Sequence, residues 1–124
     1  MTPHRPVYLN LFRIRLPLPG VASIMHRASG ALLFVLLPLL LYVLQQSLAS
    51  EQSYAGMQAW FRLPLVKLAL LGVIWAYLHH FCMGLRYLAL DLDIGVSLAQ
   101  ARLSAKLALI VSITATLVIG IWLW

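Results

Sequence analysis

Three stretches without a formal charge constrain this chain more than any other feature. Ala28 to Ser50 is 23 residues long, and Leu68 to Leu85 and Leu107 to Trp124 are 18 each. A helix needs about 20 apolar residues to cross a bilayer, and the second stretch reaches that length if its helix starts near Leu63. Backbone groups surrounded by lipid have to pair within their own segment, so such spans are helices. The β-branched residues of the third stretch would be a mild objection in water, and one that weighs less in lipid. Composition agrees: 63% of residues are hydrophobic and 10% charged, where soluble domains carry about 25% charged residues. The expected fold is an all-α membrane protein of three transmembrane helices. It forms one domain over 1–124, with an amino-terminal segment at 1–22 and spans at about 23–49, 62–87 and 104–124.

The net charge of +6 would direct a soluble chain toward nucleic acid. Here the basic residues flank apolar segments, so they read as topology signals and headgroup contacts, and no nucleic-acid partner is expected. Arg5, Arg13, Arg15 and Arg27 precede or open the first span, and Arg86, Arg102 and Lys106 lie between the second and third. The connection from Glu51 to Trp60 has no Lys or Arg. The positive-inside rule then places the amino terminus in the cytoplasm and the carboxyl terminus across the membrane, with Arg62 and Lys67 snorkelling on the far side. The first apolar run starts only after Arg27, with no cleavage site behind it and no mitochondrial-type presequence ahead of it. The expected location is the bacterial inner membrane, multi-pass.

Punctuation agrees with these spans. Pro17, Pro19 and Gly20 are expected to break the chain before the first helix, Pro64 to open the second, and Pro38 to kink the first from inside. Trp60, Phe61, Trp122 and Trp124 suit a membrane interface. Leu92 to Lys106 is a partly polar connection, and the lone Cys82 reads as a buried, inert thiol.

Polar residues at membrane depth are costly and mark function by default. One cluster, Ser23, His26, Arg27 and Ser29, lies where the first span begins; another, His79, His80, Arg86 and Asp91, lies where the second ends. Antiparallel neighbours bring the two together. His80 has Gly72, Ala76 and Gly84 at helical spacing on its face. Small residues there either admit a neighbouring helix closely or leave room for a flat macrocycle, whose iron an imidazole would ligate. His79 points roughly 100° away and is the weaker ligand. Ser23 and Arg27, four apart, either bind a carbonyl or anion or act as a cap and a snorkelling cation. Arg86 and Asp91 read as a surface ion pair or a helix-end contact, and Ser29 and Gly30 as packing residues.

Two motifs carry a family resemblance. The first is Arg5-Pro6-Val7, then Leu11, then Ser23-Ile24-Met25-His26-Arg27-Ala28-Ser29-Gly30; the second is His80-Phe81-Cys82-Met83-Gly84-Leu85-Arg86 closed by Asp91. Together they resemble the RP, SxxHRxSG and HxxxGxR patterns of the cytochrome b large membrane subunit of succinate dehydrogenase, respiratory complex II. Tyr87 stands where that family usually has His or Phe, and Leu90 where an aromatic residue or Met is common; altered packing is expected at both.

The resemblance implies a heteromeric helical bundle around haem b. His80 would be one axial ligand to the iron, and a small partner subunit would supply the second His. Ser23 and Arg27 would line a ubiquinone site, and His26 with Arg27 would lie near the haem propionates. Arg86 and Asp91 would have structural roles. A flavoprotein and an iron–sulfur subunit would deliver electrons from succinate, so this chain would be a non-flavin enzyme subunit with no activity alone. The alternatives are the anchor of a quinol:fumarate reductase, running the reverse reaction, and a small transporter or assembly protein. A proton-coupled exporter would want a carboxylate within its spans, and these have none.

Overall fold

The structure, a computed structural model, describes residues 15–124. The Arg5-Pro6-Val7 and Leu11 portion of the first motif, together with Arg13, lies outside the described residues. Four helices follow in order: α1 (Leu18–Ala49), α2 (Glu51–Phe61), α3 (Pro64–Asp91) and α4 (Leu98–Leu123). Among them α1, α3 and α4 are long and apolar enough to cross a membrane.

The starts of the helices follow from their sequences. Pro17 is the N-cap of α1 in extended backbone. Pro19 and Gly20, expected ahead of the helix, lie in its first turn, where a missing N–H leaves no hydrogen bond unmade. Pro38 lies within α1. Pro64 opens α3 behind Leu63, as its position predicts. Ser97 caps α4 by accepting a hydrogen bond from the Gln100 N–H at 3.4 Å. The end of α3 is closed by a turn in which Asp93 takes φ 59° and the Ile94 N–H donates to the Ala89 carbonyl at 2.9 Å. A short polar side chain tolerates that left-handed conformation.

The one element without a clear sequence signal is α2, whose residues read as a connection. Ser50 ends α1 and caps α2, accepting from the Ser53 N–H at 3.1 Å, with Glu51 in the first turn. That cap is the local reason the chain turns helical again. The Ser53 hydroxyl then reaches back to Gln46 Oε1 at 3.1 Å and holds α2 against α1.

Packing places α3 in the middle, against α1 on one side and α4 on the other. The buried positions are small: Ala22 and Ser29 on α1, Ala76 on α3, and Ala105, Ala108, Ser112, Thr116 and Gly120 on α4, with Met83 and His79 the largest. Small residues let helix backbones approach closely where no hydrophobic effect drives helices together. Large apolar side chains point outward instead; Phe34 is 77% and Ile121 81% exposed. That surface suits lipid or further helices and does not suit water.

Antiparallel packing gives the bundle two unlike ends. The start of α1, the end of α3 and the start of α4 meet at one, here called the histidine end. The end of α1, α2, the start of α3 and the end of α4 meet at the other, the tryptophan end.

Candidate functional site

The histidine end brings the two sequence clusters together, as antiparallel topology predicts. The His80 imidazole lies against α1, with Nδ1 3.1 Å from the backbone carbonyl of His26 and 3.4 Å from Ser29 Oγ. Ser29 is buried, and its hydroxyl donates to that same carbonyl at 2.8 Å. The His26 ring stacks on the His80 ring with centroids 4.2 Å apart and planes 11° from parallel. Tyr87, the departure from the family pattern, packs on the other side of His26 at 5.1 Å.

Gly30 explains how His80 comes so close. A Cβ at that position would fall 2.7 Å from His80 Cε1 and 3.1 Å from Nδ1. On α3 itself, a Cβ at Gly72 or Gly84 would meet nothing within 4 Å. The small-residue face therefore divides: Ala76 is buried against the bundle, while Gly72 and Gly84 leave open space above and below His80.

The adjacent histidine has the opposite environment. His79 is fully buried and stacks on Trp75 with centroids 5.3 Å apart. Neither of its ring nitrogens has a hydrogen-bond partner among the described residues. With its ring enclosed by the chain's own helices, it offers no face to a macrocycle. His80 makes no hydrogen bond through Nε2 among the described residues, and that atom is not enclosed.

Ser23 and Arg27 are a side-chain pair on α1, with the guanidinium donating to the hydroxyl at 3.3 Å. Arg27 is exposed and Ser23 partly so. Arg27 lies in sequence between His26 and Ser29, two residues that contact His80, and Ser23 one turn before it. Arg86 turns the other way. Its Nε donates to Ser104 Oγ at 3.0 Å and its terminal nitrogen to the Ala101 carbonyl at 3.2 Å, tying α3 to the start of α4. It also lies over the Tyr87 ring at 5.4 Å. Among the described residues its bonds go to α4 and not to Asp91, which is exposed at the last position of α3.

Haem b, which the resemblance implies, can be tested against these residues. A half-exposed imidazole has one nitrogen anchored and the other free, beside two glycines with open space. The buried His26 Nε2 has no partner, an orphan that an introduced carboxylate would satisfy. The residues fit the group.

Of the residues singled out in the sequence, His80 and His26 stack on each other and Ser23 and Arg27 pair on α1. Sequence reasoning missed the contacts of Ser29 and Gly30 with the ring and of Ser104 with Arg86. The SG pair after the HR motif was the available signal, and it reads as ordinary packing without the facing helix.

Three helices long and apolar enough to cross a membrane, with an imidazole, a guanidinium and hydroxyls toward one end of the bundle, define a class: a small polytopic membrane protein. The chain belongs to the succinate dehydrogenase/fumarate reductase transmembrane subunit family, whose profile matches residues 1–119. It is 36% identical over 125 residues to the succinate dehydrogenase cytochrome b556 subunit of Coxiella burnetii, covering 100% of both chains. It is 32% identical over 106 residues to the b556 subunit of Paracoccus denitrificans, covering 86% of this chain and 77% of that one. A mitochondrial succinate dehydrogenase cytochrome b560 subunit from Dictyostelium discoideum is 32% identical over 111 residues, 89% of this chain and 58% of that one.

Proposed function

We propose that this chain is the cytochrome b membrane anchor of a succinate:quinone oxidoreductase. It would bind haem b jointly with a small partner subunit and contribute to the ubiquinone-reduction site. The observation that carries the reading is the anchored His80, with Nδ1 held by α1 and Nε2 free on an open, glycine-flanked face.

The second imidazole would come from the partner in this reading. His26 and His80 stack face to face, so His26 would not join His80 in holding the group. His79 is enclosed. Haem held in this way would supply single-electron storage. His26, through its orphaned Nε2, and the exposed Arg27 would serve the propionates.

Arg27 and Ser23 would hold the quinone head. A guanidinium already paired to a hydroxyl is a fixed donor set, aimed where negative charge grows on a carbonyl oxygen as it is reduced. Held in place before reaction, such donors need no reorganisation. The soluble iron–sulfur and flavoprotein subunits would dock at this end, which the basic residues Arg15, Arg102 and Lys106 would place on the cytoplasmic side of a bacterial inner membrane.

The test separates quinone chemistry from succinate oxidation in the purified complex. Arg27→Leu should lower quinone reduction on the order of 100-fold, with succinate oxidation by an artificial soluble acceptor nearly unchanged. Equal loss of both activities would remove Arg27 from the quinone site.

A further inference from the structure

Ser29 and Gly30 are given no role in the reading above, although both lie against the proposed ligand. We propose that Ser29, Gly30 and the backbone carbonyl of His26 form a socket on α1 that fixes His80 in one tautomer and one orientation, and thereby tunes the redox potential of the haem it holds. This rests on the proposed ligation by His80 and assigns positioning roles to groups that do not touch iron.

Hydrogen-bond chemistry fixes the tautomer. A carbonyl oxygen only accepts, so the His80 nitrogen 3.1 Å from the His26 carbonyl has to carry the hydrogen. The Ser29 proton is spent on that carbonyl at 2.8 Å, so toward Nδ1, at 3.4 Å, its oxygen can also only accept. Two oxygens thus favour Nδ1–H, leaving the Nε2 lone pair for a metal. Ser29 is only 4% exposed, so water does not compete for these bonds. Donation from Nδ1–H to an acceptor raises ligand basicity and favours the oxidised iron.

Gly30 fixes the orientation. With an alanine methyl in place, the 2.7 Å approach to Cε1 is impossible and the ring has to move. A flexible chain end would swing aside, but an imidazole stacked on His26 and bonded through Nδ1 moves as a rigid plate. The SG pair therefore supplies an acceptor and a vacant Cβ position, both aimed at the same ring.

The experiment uses the purified complex with its partner subunits. Haem content, the low-spin electron paramagnetic resonance signal and the haem midpoint potential are measured in His80→Ala, Ser29→Ala, Gly30→Ala and Ser112→Ala. Ser112 is an equally buried serine bonded within α4 to the Leu109 carbonyl, so it controls for loss of a buried hydroxyl. Ser29→Ala is expected to keep haem, raise the midpoint potential and shift the resonance signal, while Ser112→Ala matches the wild type. Gly30→Ala is expected to weaken haem retention about 10-fold or more and to broaden the low-spin signal. Double resonance on the wild type should detect an exchangeable Nδ1 proton, independently of any substitution. If His80→Ala keeps its haem, the ligation itself is wrong. If His80→Ala loses haem while Ser29→Ala and Gly30→Ala keep wild-type spectra and potentials, the ligation stands and the socket is overturned.

Discussion

Gly30 at the histidine end and Gly120 at the tryptophan end both let one helix come close to another, but what they admit differs. At Gly30 the neighbour is a rigid imidazole, held by two oxygens and a stacked ring. At Gly120 it is the tip of Leu71, 2.9 Å from a would-be Cβ and free to change rotamer. The same contrast runs through the two ends. One is joined by directional bonds, from His80 to α1 and from Arg86 to α4. The other is joined mainly by apolar contact, with one hydrogen bond between Ser53 and Gln46 and with Lys67 over the Trp124 ring at 4.7 Å, around a cavity of about 570 Å³ between α1 and α2. Directional bonds specify one arrangement, whereas apolar contacts in a bilayer tolerate several. Geometric definition is concentrated where the proposed chemistry needs it.

The largest effects should therefore come from the histidine end. Gly30→Ala is expected to destabilise the helix pair by about 1–3 kcal/mol through overpacking, offset by about 1 kcal/mol of helix propensity, before any loss of haem is counted. A thermal unfolding midpoint equal to the wild type would show that His80 can move freely and that the contrast between the ends is false. Arg86→Met keeps most of the side chain's length but removes both bonds to α4. Hydrogen bonds from a charged group are worth about 1.5–3 kcal/mol in all, a figure to be taken at its lower end because Arg86 is only partly buried. The Ser104 hydroxyl keeps an acceptor in the Ala101 carbonyl, so little is left unpaired. Unfolding in mixed detergent would read the loss. Equal stability would mean that α4 is held by its small-residue packing alone.

The spans, their order and the meeting of the two motifs were legible in the sequence because lipid imposes simple rules. Uncharged length marks a span, a proline after an extended residue marks a start, and alternating direction brings the end of one span to the beginning of another. The small residues at helical spacing set His80 apart from His79 as a candidate, and the structure buries His79 against Trp75 while His80 Nε2 is left open. What was not legible depended on the facing helix. Ser29 reads as a packing residue until the ring opposite is in view, and Arg86 reads as half of a local ion pair until Ser104 arrives from α4. The helix α2 escaped notice because it is short and weakly amphipathic, with only the Ser50 cap to announce it.

At the tryptophan end smaller effects are expected. Gly120→Ala pushes only on Leu71, and a glycine replaced by alanine within a helix gains about 1 kcal/mol of helix propensity in water. The two contributions oppose each other, so a net change within about 1 kcal/mol is expected. A loss as large as that of Gly30→Ala would mean that Leu71 is as fixed as His80 and that this end is no looser than the other.

Lys67→Met should be the mildest. It removes a cation from above the Trp124 ring and leaves an apolar side chain of similar reach in a wall shared with Phe61 and Leu71. A cation over an indole contributes about 0.5–1 kcal/mol where water reaches the site, and the methionine thioether, itself attracted to aromatic rings, offsets part of that. The unfolding midpoint should barely shift, and haem spectra should match the wild type because the substitution lies between about three and four turns from His80 along α3. A change in the haem signal would show that the start of α3 is coupled through the helix to His80, the proposed ligand, and the division between a fixed end and a tolerant one would have to be abandoned.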